Sequence, residues 1–173
     1  MASIRICLCA LVMLTLASPV VAQSAAKAAD PSITLLSNAQ IAAQVRTLME
    51  GATKSPTGVS FTTLETYPGY SVMLVVRVKT GPSEMHANWN DVMYILDGDA
   101  TEVTGGTMAD GKLDAATGET RGTGVEGGTR TPIGKGDVIH IPANTPHWAI
   151  LAPGKTQTIL LVKVATTGLA GSR

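Results

Sequence analysis

The sequence predicts an all-β sandwich or barrel with one helix placed ahead of it. Three observations carry this. From Val59 onward the apolar segments are short, rich in β-branched residues and broken by glycine and proline. They recur at roughly regular intervals, with no strand–helix alternation of the kind that builds parallel sheets and with no internal repeat. The one stretch with helical spacing lies before all of them.

Residues 1–22 have the pattern of a secretory signal peptide: an early Arg5, an apolar core, and a small-residue end with Val20 and Ala22. The apolar run from Ile6 to Leu16 is shorter than the roughly 20 residues that span a bilayer. The expectation is therefore a cleaved leader, a secreted or periplasmic protein, and no stable membrane insertion after cleavage. Both cysteines, Cys7 and Cys9, lie in this segment, so the mature chain is expected to have no disulfide and no thiol chemistry. Residues 23–36 are rich in Ala and Ser and read as a flexible lead-in. Residues 37–173 read as a single domain with room for a sizeable core.

That domain opens with the helix. Ser37 or Asn38 can cap it, Ile41, Val45, Leu48 and Met49 form its apolar stripe, and Gly51 marks its expected end. The strands expected after it are VSFTTLETY, YSVMLVVRVK, VMYILDGDATEVT, DVIHIP, WAILA and TQTILLVKV. Between Gly105 and Gly136 lies a segment with many glycines and few large apolar residues. It reads as a long Gly-rich loop, either a surface excursion with a short hairpin or a lid over the site.

Composition excludes several functions. Formal net charge is zero and there is no basic stripe, so nucleic acid is not an expected partner. There is no G-x-S-x-G elbow and no P-loop. Paired carboxylates of the glycosidase type do not stand out. Aromatic residues are so few that Trp89 and Trp148 are notable, each within a few residues of a histidine.

Two motifs carry the chemistry. The first runs from Gly81 through His86, Asn88 and Asp91 to Gly98. The second runs from Gly136 through Pro142 and Asn144 to His147. Together they resemble the paired signature motifs of the cupin superfamily, small β-barrel proteins that usually carry one metal ion. The second motif fits closely, with Asn144 in the usual glycine place. In the first, Asp91 and Gly98 keep the family's acid-to-glycine spacing. Asn88 stands most simply for the family's second histidine, Asp91 for its glutamate, and the gap between them is one residue short. The resemblance covers about residues 70–164 and implies a cupin-type jelly-roll barrel. It also implies metal ligands at His86, Asn88, Asp91 and His147.

The residues themselves allow that chemistry. On a strand, His86 and Asn88 would share a face. Two imidazoles and a carboxylate leave coordination positions open and suit one divalent transition metal ion: Fe(II) foremost, with Mn, Ni, Co or Zn also accommodated. Asn88 would be a weaker fourth ligand, an orienter of bound water, or an Asx-turn former. His140 is either a third imidazole or an ordinary strand residue, depending on which face of its strand is buried. Tyr94 and Trp148, and Met73, Met85 and Met93, read first as packing residues.

Two functional classes stay open. One is a metal-dependent enzyme on a small molecule, of oxygenase, isomerase or lyase type. The other is a module that binds a small ligand such as a sugar without turnover; a metal-free relic is the third and weakest reading. The expected partners are a small-molecule ligand or substrate and a second copy of the chain in a homodimer.

Overall fold

The computed structural model describes residues 34–167. The expected signal segment, the cleavage site and most of the lead-in lie outside them. Ser37 caps helix α1 (Asn38–Lys54) in a capping box with Gln40: the serine side chain accepts from the Gln40 amide, and the Gln40 side chain accepts from the Ser37 amide. The helix does not stop at Gly51. Ala52 extends the stripe one turn beyond Leu48, and both are buried against Leu74 and Val76. No helix among the described residues is long and apolar enough to cross a membrane.

Thirteen strands follow: β1 (Val59–Tyr67), β2 (Tyr70–Arg77), β3 (Ser83–His86), β4 (Trp89–Gly98), β5 (Ala100–Thr104), β6 (Thr107–Ala109), β7 (Lys112–Asp114), β8 (Glu119–Gly122), β9 (Gly124–Glu126), β10 (Thr129–Ile133), β11 (Val138–Ile141), β12 (His147–Ile150) and β13 (Gln157–Ala165). One sheet has the order β1-β2-β13-β4-β11, a second β10-β5-β12-β3-β8-β7, and β6 pairs with β9 apart. Every pairing is antiparallel. The two large sheets contribute to one core. Val75, Met93, Ile95, Ile159 and Leu161 come from the first, and Ala100, Ile133 and Ala149 from the second. The helix covers the outer side of the first sheet, so β2 is buried on both faces: Leu74 and Val76 toward the helix, Val75 and Arg77 toward the interior.

Two sequence expectations need correction. VMYILDGDATEVT is not one strand. Gly98, at φ +81°, breaks it, and the chain passes from β4 in the first sheet to β5 in the second. The segment from Gly105 to Gly136 is not a structureless loop. It holds β6 to β10, with β10 alongside β5 and β8 alongside β3. Several of its glycines serve close approach. A Cβ on Gly128 would lie 2.8 Å from Val103 Cγ1 and 3.0 Å from the Thr104 carbonyl.

Gly98→Ala should destabilise by at least about 3 kcal/mol, since a Cβ there adds left-handed strain and collides with the Thr156 backbone. Gly105→Ala, with a similar φ of +75° but nothing within 4 Å of the new Cβ, should lose only about 1 kcal/mol. Urea unfolding of the two variants checks the difference.

Candidate metal centre

Antiparallel register builds the site. Glu84 and His86, two residues apart on β3, share an inward face. His147 on β12 pairs with Glu84, while Glu119 on β8 pairs with His86 and Arg121 with Glu84. From the facing sheet, β4 turns Asp91 inward ahead of Met93 and Ile95, and Lys163 of β13 is its cross-strand neighbour. A row of ionisable groups thus meets inside the barrel.

The donor atoms converge. His86 Nε2 lies 3.2 Å from Asp91 Oδ2 and 3.9 Å from Glu84 Oε2. His147 Nε2 lies 3.9 Å from each of those same two oxygens. One ligand atom from each of Glu84, His86 and His147 falls within 4.8 Å of the others. The two imidazole centroids are 5.0 Å apart, with the rings tilted by 59°.

Both rings are held by their other nitrogen. His86 Nδ1 is 2.6 Å from Glu119 Oε2 and donates to that carboxylate; His147 Nδ1 donates to the Thr145 carbonyl at 3.0 Å. Each Nε2 thereby faces the cluster. His86 Nε2 is buried and has no hydrogen-bond partner among the described residues. Burial pushes the His147 imidazole down to about 4, with the Thr145 contact opposing it, so the ring is neutral at pH 7. Burial would raise Asp91. The His86 contact and the Lys163 ammonium, 3.0 Å from Oδ1, outweigh it and hold the carboxyl below its ordinary value.

His86, Asp91 and His147 come together as donors at one point. Asn88 does not join them. β3 ends at His86, and the chain bends through Ala87 and Asn88 toward the other sheet. The Asn88 amide is exposed and donates to the Thr117 carbonyl. The strand-face argument for Asn88 fails because the strand has already ended. His140 is exposed on β11, opposite Val92, and takes no part. Trp148 anchors the β3 approach, its indole donating to the Gly81 carbonyl at 2.8 Å.

Sequence reading missed Glu84. Its signal was the same two-residue alternation, applied backward from His86 instead of forward. Glu84 and His86 then occupy the motif's paired-histidine places, with four residues before Asp91. The apparent one-residue shortfall disappears, and both motifs end on strands that line one interior. The fold is of the cupin type.

In this cupin-type barrel the cluster opens into a cavity of about 470 Å³, within the usual range for small-molecule sites. Val75, Met93, Ile159 and Leu161 give it apolar walls, and Arg77, Glu102, Arg121 and Lys163 add charge. Burial raises the Glu102 carboxyl to about 7, with the Arg77 guanidinium opposing that shift.

No family model and no curated protein matches the chain. Solved structures similar to it include the cupin domain of Schizosaccharomyces pombe Cnp3, at 12% identity and TM-score 0.46 over 63% of this chain and 66% of that one. An oxalate oxidase is similar at 16% identity and TM-score 0.48, over 65% of this chain and 54% of that one. The Streptomyces nucleoside dehydratase Pac13 is similar at 13% identity and TM-score 0.43, over 64% and 72% respectively.

The His147 shift has a consequence for stability. An unfolded histidine binds its proton near 6.5, while folded His147 does so only near 4. Between those values the unfolded chain holds more protons, so acid favours unfolding. In metal-free protein His147 should contribute a loss of up to about 3 kcal/mol as pH falls from about 6.5 to about 4, opposed by Glu102, whose raised carboxyl gains stability over the same range. The difference between wild type and His147→Gln in denaturant titrations across this range should isolate the His147 contribution.

Proposed function

We propose that this protein is a metalloenzyme that acts on a small molecule inside the barrel. One divalent transition metal ion would be held by His86, His147 and Glu84, with Asp91 as a further carboxylate donor. The observation that carries the reading is the convergence of two imidazole nitrogens with carboxylate oxygens, one of those nitrogens being buried and without a hydrogen-bond partner among the described residues. The donor set fits the group. Two histidines and a carboxylate form the set suited to Fe(II), and Mn, Ni, Co or Zn can use the same atoms. When bound, such an ion supplies Lewis-acid polarisation and open coordination positions.

The chain's own groups do the rest. Glu119 orients His86 and strengthens its basicity through Nδ1. The Thr145 carbonyl does the same for His147. The apolar walls limit water around the substrate. Lys163 gives a specific reason to keep a second reading, a binding protein without turnover. Its ammonium occupies Asp91 Oδ1 and makes that carboxylate a poorer ligand.

Elemental analysis of purified protein tests the site. Wild-type protein should carry about one transition metal per chain, and His147→Ala and Glu84→Ala should lose it, whereas Asn88→Ala should keep it. Glu119→Gln should weaken metal affinity by about 10–100-fold without removing a donor. Full metal content in His147→Ala would overturn the assignment.

A further inference from the structure

Below the histidine row the cavity holds a second polar group that the metal cluster does not use. Glu102 lies on β5 two residues from Thr104, the cross-strand partner of His147. Arg77 comes from the facing sheet, and both line the cavity. Gln157 is the cross-strand neighbour of Arg77 on β13 and so shares its face. The three are 8%, 2% and 0% exposed for Arg77, Glu102 and Gln157 respectively.

Each has buried side-chain atoms with no hydrogen-bond partner among the described residues. They are Nε of Arg77, Oε1 of Glu102, and both amide atoms of Gln157. Buried polar groups are ordinarily paired, and each left unpaired is a penalty to the fold. Two of these atoms, Arg77 Nε and Glu102 Oε1, belong to side chains that line the cavity, and they mark a place where a ligand supplies the partners. The cavity's other cations are already engaged: Arg121 pairs with Glu84 and Glu119, and Lys163 with Asp91. Arg77 has no ion-pair partner among the described residues. A guanidinium cannot ligate a metal, but its planar fork matches a carboxylate.

We propose that Arg77, with Glu102 beside it, is the recognition subsite of the cavity and takes the carboxylate of a small hydroxy acid. Arg77 donates to the carboxylate. Glu102 Oε1 accepts from the ligand's hydroxyl. The carbon skeleton lies against Val75 and Ile159. The inference deepens the metalloenzyme reading, because the subsite opens into the same cavity as the donor cluster.

Calorimetric titration tests it, with malate, lactate, succinate and the neutral lactamide as probes. The full protein is used both as purified and after removal of metal by chelation. Malate and lactate should bind in both states, succinate more weakly than malate, and lactamide not at all. Arg77→Met should weaken binding at least about tenfold, the value of one charge-assisted contact, with metal content unchanged. Glu102→Gln keeps an acceptor oxygen and removes a negative charge, so it should tighten malate binding by about threefold. Glu102→Gln decides the matter if Arg77→Met does not fold. Unchanged affinity in either variant overturns the proposal. So does binding that vanishes on chelation, which would put the carboxylate on the metal. Equal binding of malate and succinate overturns the hydroxyl part. Chelated protein that binds malate through Arg77 but carries no metal as purified would overturn the metalloenzyme reading alone.

Discussion

The hydrogen bond from His86 Nδ1 to Glu119 Oε2 is the contact on which the site depends. It spans β3 and β8, and it exists because the register sets His86 directly against Glu119. Burying a histidine beside three carboxylates is unfavourable unless each group has a partner. Glu119 supplies that partner on one side of the ring and leaves the other nitrogen bare toward Asp91, Glu84 and His147. A one-residue slip of β8 would turn Glu119 and Arg121 to the opposite face. Arg121 would then no longer neutralise Glu84, and the interior would hold uncompensated charge.

The same logic explains what was legible in the sequence. Helix α1 was readable because its apolar residues follow one period, and strands β1, β2 and β13 because β-branched runs are bounded by turn residues. The β4–β5 break was not, because a single glycine between two strand-like runs does not by itself show that the chain changes sheet, as Gly98 does here at positive φ. The Gly-rich segment misled because glycine ordinarily signals a loop. Here Gly128 lets β10 approach β5, and the segment delivers Glu119. His86, Asp91 and His147 were legible from residue type and spacing. Glu84 was one alternation step away and went unread because the first motif was aligned from its only histidine. Arg77 and Glu102 had no local signal at all, since charged strand residues ordinarily face water. Only the closure of the two sheets shows that these two face inward.

The interior is graded from one end to the other. At the β3–β12 row every charge has a counter-charge or a ring nitrogen close by. At Arg77, Glu102 and Gln157 buried polar atoms lack hydrogen-bond partners, and burial displaces the Glu102 carboxyl to about 7 against the pull of Arg77. Between them lie Val75, Met93, Ile159 and Leu161, which keep the local dielectric low and so strengthen both the satisfied contacts and the penalties for unsatisfied ones. A fold optimised for stability alone would place apolar residues at those positions. Retaining polar ones is the pattern expected where stability gives way to binding.

The central claim is that both rings turn an unprotonated Nε2 toward one point. Nitrogen-15 NMR of the two imidazoles in metal-free protein at pH 7 tests it most directly. The account predicts a proton on Nδ1 of both rings, with Nε2 showing the shift of a bare nitrogen. A proton on Nε2 of either ring would contradict it, because that ring would then have no lone pair to offer a metal at the centre of the cluster.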